Sequence, residues 1–78
     1  MATKAYVLIE TAVGKTREVV AYLKQLPGVR SADVVTGPYD IIAVFEAEDL
    51  NSIGAVVTED VHTIGGIVRT VTCLALGV

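Results

Sequence analysis

The stretch VRSADVVTGPYDIIAVFEA, residues 29–47, holds two apolar runs separated by Thr36-Gly37-Pro38-Tyr39-Asp40. Valine, isoleucine and phenylalanine favour strands, while glycine and proline punctuate the chain between them. The pattern predicts an antiparallel hairpin, with one strand over residues 29–36 and another over residues 41–47. A turn needs only the glycine and the proline. The tyrosine and the aspartate directly before the second strand call for a further reason.

The flanking sequence extends the hairpin in both directions. Residues 4–11 read as a strand, with Ala5, Val7 and Ile9 on one side and Tyr6 and Leu8 on the other. Both sides are apolar, as expected of a strand covered on both faces. From Gly14 onward Val19, Val20, Leu23 and Leu26 recur at helical spacing, with Lys15, Arg17, Glu18 and Lys24 facing out. Leu26-Pro27-Gly28-Val29 ends that helix, because proline cannot continue it and glycine permits a tight reversal. Beyond the hairpin, Asp49 is suited to cap a second helix carrying Leu50, Ile53, Val57 and Val61 on one stripe. Ile64-Gly65-Gly66 stops it, and residues 67–76 form the last strand. Alternation puts Val68, Thr70, Thr72, Leu74 and Leu76 on one side of that strand, and Ile67, Arg69, Val71, Cys73 and Ala75 on the other.

A weak repeat runs through the chain. Val19, Leu23, Leu26, Gly28 and Val29 return 38 residues later as Val57, Val61, Ile64, Gly66 and Ile67. Two β-α-β units in tandem give βαββαβ, an α+β, ferredoxin-like arrangement. Right-handed crossovers then place both helices on one face of a four-stranded antiparallel sheet. The 78 residues suffice for a single domain, residues 1–78.

Composition narrows the function classes. Hydrophobic residues make up 53% of the chain, above the roughly 45–50% of ordinary domains. No apolar run reaches the length of a membrane span, and the first residues lack a signal-peptide pattern. The expectation is a cytoplasmic protein with more apolar surface than one small fold can hide. Cys73 is the single cysteine, which rules out an intrachain disulfide and a cysteine-rich metal site. Six Lys and Arg stand against nine Asp and Glu, and the basic residues are scattered rather than clustered. Direct nucleic-acid binding is therefore disfavoured. The sheet face without helices carries mostly apolar side chains, which normally marks an interface. Sheet packed on sheet in a homodimer, a dimeric α/β sandwich, is the expected solution.

No catalytic constellation is visible. His62, the only histidine, stands beside Thr63 at the end of the second helix, where the helix dipole favours it. Ser31 and Ser52 lie in no nucleophile-elbow motif, and no phosphate-binding glycine loop opens a helix. The chain is expected to be no enzyme, with no metal and no bound cofactor. Thr36-Gly37-Pro38-Tyr39-Asp40 admits two readings. As a turn, Gly37-Pro38 bends the chain, Asp40 bonds nearby amides and Tyr39 covers the hairpin. As a site, Gly37 exposes backbone amides to a carboxylate, Asp40 pairs with an ammonium and Tyr39 supplies an apolar wall. The second set suits a zwitterion such as a free α-amino acid.

Leu26-Pro27-Gly28-Val29, Thr36-Gly37-Pro38-Tyr39-Asp40, Gly66-Ile67-Val68 and Thr70-Val71-Thr72 together resemble the effector (RAM) domain of the Lrp/AsnC, or feast/famine, transcription regulators. The resemblance spans essentially the whole chain and implies dimers through the sheets and higher rings, commonly octamers. It also implies an amino-acid effector held between dimers near the hairpin loop. On this basis the ligand-binding residues are Gly37, Pro38, Tyr39 and Asp40, with Thr70 and Thr72 contributing from the last strand. Family regulators carry an N-terminal helix-turn-helix domain, whereas this chain begins with the first effector strand and so resembles the stand-alone form. Gly65 replaces a common proline, and Pro38 occupies a variable loop position. The expectation is an amino-acid-sensing oligomerisation module, acting in the regulation of transcription or amino-acid metabolism without binding DNA itself. Full-length Lrp/AsnC regulators are candidate partners. The alternatives are a small enzyme of the dimeric α+β-barrel type and a purely structural assembly piece.

Overall fold

Strand β1 (Thr3–Thr11) runs through the middle of a four-stranded sheet, with β3 (Ile41–Ala47) on one side and β4 (Ile67–Leu74) on the other. Strand β2 (Val29–Val34) forms the edge beyond β3, and every neighbouring pair is antiparallel. Helix α1 (Thr16–Leu23) joins β1 to β2, and α2 (Leu50–Ala55) continues as a π-helical run, Val56–Val61, before β4. The computed structural model describes residues 2–77. The order β2-β3-β1-β4 is the ferredoxin-like one expected from the tandem β-α-β units.

The core lies between the sheet and the two helices. Ala5, Val7 and Ile9 of β1 and Ile41, Ala43 and Phe45 of β3 point into it, where Val19, Leu23, Ile53, Val57 and Val61 meet them. The helical spacing seen in the sequence therefore faces the sheet, although Leu50, the first residue of α2, is exposed. Asp49 caps α2, its Oδ1 accepting from the Ser52 amide at 2.8 Å. That amide bond, and a second bond to Ser52, hold the Asp49 carboxyl below its ordinary value.

Two irregularities in the strands follow the repeat. Register slips between Val29 and Ser31 of β2, and again between Ile67 and Arg69 where β4 leaves β1. Each slip inserts one residue, Arg30 or Val68, and these two are equivalent in the repeat. In an unbroken strand Ile67 and Arg69 share a face, as the sequence alternation predicts. The bulge separates them: Ile67 opposes Thr11 and packs on the core, while Arg69 opposes Glu10 on the open face. Bulges commonly re-aim a side chain in this way.

Each bulge follows a glycine in the left-handed region, Gly28 at φ 87° and Gly66 at φ 100°. The Gly28 carbonyl accepts from the Glu46 amide at 2.8 Å, and a Cβ on Gly28 would lie 2.9 Å from the Glu46 carbonyl oxygen. Backbone cannot yield as a flexible side chain does. Gly28→Ala is therefore expected to cost about 2 kcal/mol or more, measured as a lower urea midpoint. A variant as stable as the native chain would contradict the close approach.

Asp49 makes a separate prediction. A carboxyl whose folded pKa is depressed contributes stability above its unfolded pKa, and loses it as pH falls through the folded value. Asp49→Asn keeps a capping oxygen but cannot titrate. Its thermal midpoint should fall less than that of the native chain on acidification below the ordinary carboxylate range.

Candidate functional site

Asp40 is committed to the fold. Its Oδ2 accepts from the Thr11 amide at 2.8 Å and from the Thr11 hydroxyl at 3.2 Å. The Thr11 hydroxyl lies 2.7 Å from that of Thr16, the first residue of α1. With the Thr11 proton given to the carboxylate, the Thr16 hydroxyl is the donor of that second bond. The Asp40 amide donates to the Ile9 carbonyl and the Asp40 carbonyl accepts from Val35, each at 2.9 Å. Asp40 thus ties the loop to the central strand, and the Thr11 hydroxyl passes the link on to the start of the helix. Within the turn reading, the amide that Asp40 bonds lies not nearby but 29 residues away.

Gly37 adopts φ 119° with open space where a Cβ would stand, and Gly37 and Pro38 are exposed. Tyr39 folds back toward the sheet. Its hydroxyl accepts from Nη2 of Arg69 at 3.1 Å, and the guanidinium carbon lies 5.4 Å from the centre of the ring. This is hydrogen-bond and cation–π range together. Nε of Arg69 stands 3.6 Å from Oε1 of Glu10, its cross-strand partner. In the sequence Arg69 is one of six scattered basic residues. Its partners are Tyr39, 30 positions earlier, and Glu10, so no local pattern announces it.

Thr70 and Thr72 oppose Ile9 and Val7, which places them on the helix side of β4, away from the face that carries Arg69. The helices do not reach over this edge strand, so Thr72 and Leu74 are exposed while Ile9 and Val7 are fully buried. Thr70 bonds His62, hydroxyl to Nε2, at 3.0 Å, and the two line a shallow hollow of about 340 Å³ with Ile67, Val68 and Arg69. The π-helical turn, closed by the His62 amide on the Val57 carbonyl at 3.0 Å, is what carries His62 to this position. The sequence-predicted residues therefore form two groups. Gly37, Pro38, Tyr39 and Asp40 lie at the end of the sheet with Arg69 and Glu10, while Thr70 and Thr72 lie on the other side of β4 with His62.

The open face itself is apolar at its centre. Tyr6 pairs with Val44 and Cys73, and Leu8 with Ile42 and Val71, giving a block three strands wide and two residues deep. Lys4 and Glu46 border one end, Glu10 and Arg69 the other, and Ser31 and Asp33 the β2 edge. Among the described residues no group of three His, Cys, Asp or Glu side chains is placed to hold a metal ion. Among the described residues no helix is long and apolar enough to cross a membrane.

The chain belongs to the Lrp/AsnC family: the family model described as the Lrp/AsnC ligand binding domain matches residues 4–78. An uncharacterised HTH-type transcriptional regulator of Pyrococcus furiosus is 32% identical over 78 residues, covering 96% of this chain and 52% of the relative. The chain thus spans about half the length of the curated relatives it matches. The crystal structure of a hypothetical protein from Pyrococcus horikoshii superposes with a TM-score of 0.89 at 37% identity, covering 97% of this chain and 90% of that one. The fold is shared with a transcriptional regulator of Neisseria meningitidis solved as a complex with L-Met, at a TM-score of 0.85, 20% identity, and 95% and 49% coverage.

The Asp40 clasp is open to test. Asp40→Ala leaves the half-buried Thr11 amide without its acceptor, at a cost of about 1–2 kcal/mol. Asp40→Asn retains one oxygen for that amide and should lose less. Urea unfolding of both variants checks the order, and equal stability of the alanine variant would show that the carboxylate does not hold the sheet together.

Proposed function

We propose that the chain is an amino-acid-sensing oligomerisation module. It pairs through the open face of the sheet into a homodimer and assembles further into a ring, an octamer by the family resemblance. A free amino acid binds at a subunit contact beside residues 37–40, and binding shifts the assembly equilibrium. The observation that carries the reading is the apolar block of Tyr6, Leu8, Ile42, Val44, Val71 and Cys73, on a face that no helix covers. Membership of a ligand-binding-domain family supports the sensing role. That a regulator of the same fold was solved with L-Met is consistent with a small amino acid as effector.

The physical logic is population shift. A ligand enclosed by two subunits binds the assembled state better than the separated one, and moves the equilibrium by that difference in affinity. The module acts in the cytoplasm on transcription or amino-acid metabolism, by co-assembling with full-length Lrp/AsnC regulators rather than by touching DNA itself. It needs no enzymatic step. His62, on which a catalytic reading would rest, is exposed and bonded to Thr70.

Light scattering coupled to size exclusion, with and without a panel of amino acids, tests both halves. The native chain should elute as a dimer or larger, and one amino acid should change the distribution and give a calorimetric signal. Leu8→Asp, at the centre of the block, should yield monomers with native far-UV circular dichroism, because pairing would bury an unpaired carboxylate. Native chain that stays monomeric at micromolar concentration defeats the oligomer reading, and a flat panel defeats the sensing reading.

A further inference from the structure

We infer that the two charges of the bound amino acid are read by Arg69 and Glu10, beneath Tyr39, and not by Asp40. This rests on the amino-acid reading above and deepens it. The Asp40 oxygen Oδ2 already accepts two hydrogen bonds from Thr11, one of them from a backbone amide. Only Oδ1 is left, and swinging Oδ2 toward a ligand would open the clasp between loop, β1 and α1.

Arg69 and Glu10 are in the opposite situation. Their side chains are 59% and 42% exposed, and the contact between them is long, at 3.6 Å. An exposed pair of this kind contributes little to stability, so opening it costs little. Among the described residues, Nη1 of Arg69 makes no hydrogen bond; Nε faces Glu10 and one Nη2 proton goes to the Tyr39 hydroxyl. Both Nη1 protons and the second Nη2 proton are therefore unpaired, donors enough for a ligand carboxylate of the kind the arginine fork favours. Tyr39 holds the guanidinium plane from the loop side, through its ring and its hydroxyl.

A zwitterion fits this pair by charge alternation. Its carboxylate meets Arg69, its ammonium meets Glu10, and the four charges alternate in sign with no net charge added to the site. Both side chains stand on paired positions of adjacent strands, so their spacing is set by the sheet rather than by a loop. The pair lies one row beyond Leu8 and Val71, at the rim of the apolar block. A second subunit seated on that block removes water from the rim, and electrostatic attraction strengthens as water leaves.

Calorimetry on the full chain tests this with the strongest binder of an L-amino-acid panel, its α-carboxamide and its N-acetyl derivative. Arg69→Gln should weaken binding about tenfold or more, and erase the preference for the free acid over the carboxamide. Glu10→Gln should weaken it similarly, and erase the preference for the free amine over the N-acetyl form. Arg30→Gln removes the comparable exposed pair at the far end of the sheet, 3.1 Å from Glu46, and should leave affinity within about twofold if only the Arg69–Glu10 end reads charge. Scattering on each variant confirms that assembly is retained. If the native chain binds while Arg69→Gln and Glu10→Gln bind as it does, this inference is overturned and the sensing reading stands. If the native chain binds no amino acid, both fall together.

Discussion

The helices cover one side of the sheet and leave the other bare, although its central strands are apolar on both sides. Ala5, Val7, Ile9, Ile41, Ala43 and Phe45 use up the helix side. The same two strands set Tyr6, Leu8, Ile42 and Val44 on the reverse, and β4 adds Val71 and Cys73. Apolar area of this extent is normally removed from water by association, and the proposed pairing of subunits would meet that need.

Glycine and bulge act together at both strand entrances. The helix must stop, reverse through a positive φ at Gly28 or Gly66, and deliver Val29 or Ile67 onto the core at once. The next outward positions, Ser31 and Arg69, lie two residues on, which in a regular strand is the same face. One inserted residue resolves the conflict in each half. In the second half this places Arg69 where Glu10 and Tyr39 meet it. A backbone irregularity demanded by the core thus arranges charged groups on the open face.

The hairpin loop divides its labour in the same economical way. Asp40 serves the fold, joining β3, β1 and the start of α1 through Thr11 and Thr16. Tyr39 serves the surface, over Arg69. The two residues that a simple turn does not need therefore have separate reasons, one internal and one facing outward.

Most of the architecture was legible in the spacing of apolar residues, because helix and strand periods are local properties. The hairpin and the Asp49 cap follow from neighbours within a few positions, and the βαββαβ order from the return of such local patterns 38 residues later. The family, too, was legible, through short motifs. What the sequence by itself could not decide was phase and partnership. Alternation assigned Ile67 and Arg69 to one face, and only the pairing with β1 exposes the inserted Val68. Thr70 and Thr72 are joined to Tyr39 by motif but separated from it by the sheet, since alternate residues of β4 face opposite ways. Asp40 finds its amide, and Tyr39 its guanidinium, about 30 residues away along the chain. Such contacts exist only once the strands are laid side by side, so tertiary structure alone determines which polar side chains are already occupied and which remain free for a ligand.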